Sequence, residues 1–133
     1  MNIKLYVVGK IEHKFYQEAM QEYVKRLTRY CKIQVIFLKR SSEVKEQSIK
    51  NDHIVSINKQ GTSFTSEEFS KKIENWGLKS ITNISFFIGE GEVPLGENLS
   101  ITSFALSHEM TAVILLEQIY RGYRILKKEP YHK

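Results

Sequence analysis

Four short runs of β-branched and aromatic residues, Ile3–Val8, Ile33–Leu38, His53–Ile57 and Ile84–Ile88, punctuate the chain and limit its fold more than any other feature. Each is nearly continuously apolar, as strands of a mostly parallel sheet are when both faces are covered. Between the first two runs, Phe15, Tyr16, Ala19, Met20, Tyr23, Val24, Leu27 and Tyr30 recur at helical spacing, with Glu18, Glu22, Lys25 and Arg29 opposite them. That pattern predicts an amphipathic crossover helix. Gly61 marks a turn, and Thr65 with Glu68 predicts a capping box that opens a helix over about Ser66–Trp76, with Gly77 as its end. The polar stretch Lys39–Asp52 has only Val44 and Ile49 as apolar residues, so a loop or short exposed helix without a stable core is expected there. The order β-α-β-β-α-β followed by a helix places the chain in the α/β class, as a single domain over 1–133 with a mostly parallel sheet and helices on both faces.

The last helix, about Glu109–Lys128, begins apolar almost all round, with Met110, Ala112, Val113, Ile114, Leu115 and Leu116. In a chain of 133 residues such a helix calls for cover from outside, which predicts a homodimer. The 41% hydrophobic and 26% charged residues are ordinary globular values, which exclude a disordered or collagen-like chain. Cys31 is the single cysteine, and Lys4 interrupts the short apolar run at Met1–Lys10, so neither a disulfide framework nor a signal peptide is read here. The expectation is a cytoplasmic protein with no membrane association.

Net charge is +5, and from Arg121 onward five cations stand against Glu129 alone. A basic C-terminus suits a polyanionic partner, and it equally suits the negative end of a helix dipole. Gly89-Glu90-Gly91 follows a strand, as a nucleotide-binding turn does, yet Pro94 occupies the place of the third glycine and Glu90 and Glu92 would repel a pyrophosphate. They favour a cationic ligand. His108-Glu109 opens like a zinc motif, but Ala112 stands where the second histidine belongs, so no metal site is expected. No serine has the setting of a hydrolase nucleophile. His13 and His53 read as surface residues. Tyr131 and His132, after Pro130 and beside Arg121 and Arg124, have the chemistry to stack on and hydrogen-bond a base while the arginines hold phosphates. An untethered terminus would carry the same composition.

The run HEMTAVILLEQIYRGYRILKKEPYHK (His108–Lys133), the start MNIKLYVVGK and the segment YVKRLTRY together resemble the ribosomal RNA large-subunit methyltransferase H family. These are small SPOUT-class enzymes with a C-terminal trefoil knot. The resemblance implies a homodimer that transfers methyl from S-adenosyl-L-methionine to N3 of a pseudouridine in large-subunit (23S) ribosomal RNA, within the assembled ribosome. Position by position, it implies cofactor contacts at Ile57, at Gly89, and along Ile101, Thr102, Ser103, Phe104, Ala105 and Leu106. It implies catalytic roles for His132, Arg121 and Tyr131, and RNA contacts at Arg124, Lys128 and His108. Glu90 replaces the family's second glycine in its IGG motif, Ser107 a proline, and Ala112 an arginine, while the segments Gly89–Leu99 and Lys39–Asp52 are shorter than usual. A non-enzymatic relative that binds ribosomal RNA is the alternative reading of the same residues.

Overall fold

A computed structural model describes residues 1–89 and 96–133. Its five strands are β1 (Asn2–Val8), β2 (Lys32–Leu38), β3 (His53–Ser63), β4 (Asn83–Ile88) and β5 (Glu97–Ser100). They form one sheet in the order β2-β1-β4-β3-β5, and every neighbouring pair is parallel. The helices are α1 (Lys14–Leu27), α2 (Glu46–Ile49), α3 (Ser66–Leu78) and α4 (His108–Leu126). Period-two alternation divides each strand between two cores. Ile3, Leu5 and Val7 of β1 join Ile84, Phe86 and Ile88 of β4 against α1, α3 and α4. Tyr6, Val8, Ile54 and Phe87 point the other way.

The three long helices thus share one face, and of the helices expected on both faces only short turns cover the other. The second face is closed by a 3-10 turn at Ser41–Glu43 and the single turn of α2, with Ile49 buried and Val44 packed beside it. Two apolar residues in the polar stretch 39–52 suffice for this small core, which the sequence reading denied. Asp52 adds a polar anchor, accepting hydrogen bonds from Ser85 Oγ at 2.7 Å and Lys4 Nζ at 3.5 Å.

The α3 capping box forms as the spacing predicts: Thr65 Oγ1 accepts from the Glu68 N–H at 3.1 Å, and the Glu68 carboxylate accepts from the Thr65 N–H at 2.8 Å. Gly77 does not end the helix, which runs to Leu78 before Ser80 turns left-handed at φ 62°. Gly61 lies within β3 rather than in a turn, because that strand extends past the predicted run to pair with β5. Both Ile57 and Thr62 pair with Leu99, so residues 58–61 have no register partner in β5 and form a bulge.

An ionic cluster fastens the edge strand β5. Glu97 accepts from Lys72 and meets His53 Nε2 at 2.7 Å, which makes His53 half-buried rather than a free surface residue. Burial opposes ionisation of Glu97, but the hydrogen bonds from Lys72 and His53 prevail and hold its carboxyl below the usual range. A depressed folded-state pKa stabilises the fold above the ordinary carboxylate pKa and stops doing so as pH falls through the folded value. Lowering the pH from 7 to 4 is therefore expected to cost the native chain more stability than it costs Glu97→Gln, measured as urea midpoints. Equal losses would show that the cluster contributes nothing.

Candidate functional site

A cavity of about 950 Å³ opens at the carboxyl ends of the parallel strands, where open α/β sheets bind their ligands. Val8 at the end of β1 with Gly9 after it, Ile88 at the end of β4 with Gly89 after it, and Ile57 of β3 form its floor. The loop between β5 and α4 supplies a wall through Ile101, Thr102, Phe104 and Leu106, and Ser107, His108 and Thr111 close it. Six of the eight expected cofactor residues therefore line one cavity; Ser103 and Ala105 are exposed on the same loop and do not. Glu90 and Glu92 lie outside the described residues.

Two glycines make the floor possible. Gly89 has φ 116°, and a Cβ built there would stand 2.3 Å from the Val8 carbonyl oxygen, so any side chain would push β4 away from β1. Gly9 has φ 131°, and a Cβ would meet the His108 ring at 2.9 Å. The ring occupies that space and donates from Nε2 to the Lys10 carbonyl at 2.6 Å. His108, expected to contact RNA, is thus built into the cavity wall.

Beside it, Glu109 is 5% exposed, and Oε2 accepts from the backbone N–H groups of Glu12 at 3.0 Å and His13 at 3.3 Å. His13 is the residue preceding α1 and offers no side-chain cap. Glu109 supplies that cap from another helix, placing negative charge at the positive end of α1. Adjacent residues of α4 therefore hold the 9–13 loop at three points. Sequence reasoning treated His108-Glu109 as a failed zinc motif and missed this role; an acid inside an otherwise apolar helix start was the available signal. Among the described residues no group of three or more His, Cys, Asp or Glu is placed to hold a metal ion.

The C-terminal residues assemble elsewhere. The Arg121 guanidinium lies 4.8 Å from the Tyr131 ring centroid, and Tyr131 packs edge-on against Tyr120 at 4.9 Å. Arg121 Nη1 donates to His132 Nδ1 at 3.0 Å, and His132 Nε2 donates to Glu67 of α3 at 2.5 Å. One neutral tautomer, with the proton on Nε2, satisfies both bonds. Burial, reinforced by Tyr23, pushes the Tyr131 hydroxyl up to about 12, so it remains a neutral phenol near pH 7. The hydrogen bond from His132 leads the influences that hold the Glu67 carboxyl below its usual range. The structure thus brings Arg121, Tyr131 and His132 together, and none of them lines the cavity.

Arg124, expected on RNA, directs its Nη donors to the Tyr30 hydroxyl at 3.2 Å, Glu129 at 2.9 Å and the Pro130 carbonyl at 2.7 Å, while its Nε is buried without a partner among the described residues. It fixes the turn into the tail, and Lys128 is left exposed beside it. The apolar start of α4 is largely covered within the chain. Ala112, Leu115, Leu116 and Ile119 are buried among α1, α3, β1 and β4, so apolarity all round does not by itself demand a second subunit.

Residues 1–132 match a family model described as "Predicted SPOUT methyltransferase". The protein named ribosomal RNA large subunit methyltransferase H 1 in Thermoanaerobacter sp. (strain X514) is 41% identical over 133 aligned residues, which take in all of both chains, so this relative is no longer than the present one. Proteins named ribosomal RNA large subunit methyltransferase H 1 in Clostridium perfringens (strain SM101 / Type A) and ribosomal RNA large subunit methyltransferase H in Clostridium botulinum (strain Hall / ATCC 3502 / NCTC 13319 / Type A) are 38% and 39% identical, again over the whole of each chain. These align over 160 positions against the 133 residues here, so these two relatives are longer than the present chain. With a parallel sheet whose carboxyl edge carries the cavity, and a family match running from the first strand into the tail, the chain belongs to the SPOUT methyltransferase family.

Proposed function

We propose that the protein methylates N3 of a pseudouridine in large-subunit 23S ribosomal RNA within the assembled ribosome, as a cytoplasmic homodimer whose C-terminal segment is threaded into a trefoil knot. The observation that carries this reading is the cavity formed by Ile57, Gly89 and the 101–106 loop in a chain of this family. S-adenosylmethionine is the family's methyl donor and supplies a methyl group on a sulfonium.

The residues present fit that group. Ile57, Ile88, Ile101 and Leu106 offer apolar surface to a purine, and the cavity has the size of a small-molecule site. Asn58, on the β3 bulge, donates from Nδ2 to Asn98, while its Oδ1 is buried without a partner among the described residues. An unpaired buried acceptor suits an amino donor such as adenine carries. The backbone of the 101–106 loop provides further polar contacts.

An imide nitrogen must lose its proton before it can attack, and His132 is assigned as the acceptor through Nδ1, once Arg121 turns from that atom to the substrate, since imidazole is the side chain suited to such an exchange. Arg121 is assigned to stabilise the anion that results. The hydrogen bond with Glu117 raises its pKa further, so it remains a cation throughout. Tyr131, held as a phenol, presents a ring face and a donor to the base. Lys128 and the tail contribute phosphate contacts.

These groups stand outside their own chain's cavity, which supports a site completed by a second copy. The exposed Phe104, Leu106 and Met110 at the cavity wall and the start of α4 offer that copy an apolar surface. The knot is supported by the family and by the path from edge strand β5 to α4, which returns to lie between α1 and α3.

The deciding experiment is transfer of labelled methyl from S-adenosylmethionine to ribosomes lacking this modification, with the product nucleoside identified. Incorporation at N3 of a pseudouridine is expected. Ribosome binding without cofactor binding would replace this reading with that of a non-enzymatic RNA-binding relative.

A further inference from the structure

Three cations line the cavity from segments other than α4. Lys39 and Arg40 follow β2 directly, and Lys59 sits on the bulge that β3 makes when it slips register against β5. All three are exposed, and among the described residues none makes an ion pair. The arginines near the tail differ: Arg121 is paired with Glu117 and Arg124 with Glu129. No acidic residue is among the described residues lining the cavity. Glu43 is the acid nearest to Lys39 and Arg40 along the chain, and its carboxylate accepts from the Arg40 backbone N–H at 3.2 Å.

The sheet order sets the spacing of these charges. β2 and β3 are separated by β1 and β4, so Lys39 with Arg40 and Lys59 stand three strand steps apart, roughly 14 Å at the usual spacing. The strands between them carry Gly9 and Gly89 into the cavity floor. We infer that Lys39, Arg40 and Lys59 form a phosphate-binding rim that holds a single-stranded segment of the substrate RNA across the cavity mouth, with the target base turned inward between them. This rests on the RNA methyltransferase reading above. Phosphate contacts fix register without reading sequence, which is what a base entering a cavity requires. The bulge is then a functional device: it releases Lys59 from the β5 ladder and leaves it lining the cavity.

The cofactor's own carboxylate is the competing anion, and the test separates the two. Binding to ribosomes lacking the modification is measured between about 50 and 200 mM salt, where each single-strand phosphate contact contributes ~0.7 to the slope of log affinity against log salt. Lys39→Gln/Arg40→Gln/Lys59→Gln is expected to reduce that slope by about 2, with affinity for S-adenosylhomocysteine unchanged by calorimetry. A charge-matched control, Lys32→Gln/Lys50→Gln/Lys79→Gln at the opposite edge of the sheet, is expected to keep the native slope. An unchanged slope in the rim variant overturns the inference while leaving the methyltransferase reading intact. Loss of S-adenosylhomocysteine affinity with the slope retained assigns the rim to the cofactor carboxylate and overturns it as well. A native chain whose ribosome binding does not respond to salt overturns both readings.

Discussion

A Glu109→Ala chain is expected to lose about 3 kcal/mol of stability, since a buried carboxylate that accepts two backbone hydrogen bonds disappears and two N–H groups lose their partner. For a domain of this size that corresponds to a fall in Tm of ~10 °C. The loss has a definite location. The N–H groups belong to Glu12 and His13, at the start of a helix whose preceding residue supplies no cap of its own. Glu109→Gln retains a carbonyl acceptor and loses the charge, so about 1 kcal/mol is expected for it. Urea titration of the three chains decides the matter, and an alanine variant within about 0.5 kcal/mol of native would show that the carboxylate is not the cap. The consequence reaches the cavity, because the same loop holds the carbonyl of Lys10 against His108 and Gly9 against its ring. Loosening one end of this staple loosens a wall of the site.

That staple shows where a sequence stops being legible. Four strands and three long helices follow from periodicity, because alternation and a 3.6-residue stripe are local properties. β5 carries no such mark: Glu-Asn-Leu-Ser is four residues without a β-branched side chain, and only the ladder it forms with β3 makes it a strand. His53 reads as a surface residue for the same reason, since its partner Glu97 comes into view only once β5 is known. The bulge at 58–61 is a register effect between those two strands, so the sequence placed Ile57 in the site through family resemblance and gave no hint of Lys59. Glu109 and its partners lie 97 and 96 residues apart, and nothing in either segment names the other. Ile49 illustrates the opposite error. With Val44 it makes only two apolar residues in a polar stretch, which read as too little for a core, but Tyr6, Val8, Ile54 and Phe87 lie on the uncovered face.

The largest functional effect is expected at His132. If it accepts the imide proton, His132→Ala lowers the methylation rate by about 10²–10⁴-fold, with cofactor binding retained because the residue is outside the cavity lining. A purely structural role, as a clamp between Arg121 and Glu67, would instead be reproduced by Glu67→Ala, which removes the other half of the same contact. The separation of His132 from its own cavity permits a sharper test. Thr102→Trp fills the cavity and leaves the tail intact, while His132→Ala does the reverse, so each homodimer is expected to be inactive. Mixed and allowed to exchange, half of the dimers contain one protomer of each kind. A tail that serves the partner's cavity then restores one complete site in each mixed dimer, about a quarter of the native activity per chain. A tail that serves its own cavity restores none. Recovery near that quarter would establish that the proton acceptor reaches its substrate from the second subunit. Absence of recovery, with exchange verified by tagged chains, would require the His132–Glu67 contact to open and the tail to swing toward the cavity of its own chain.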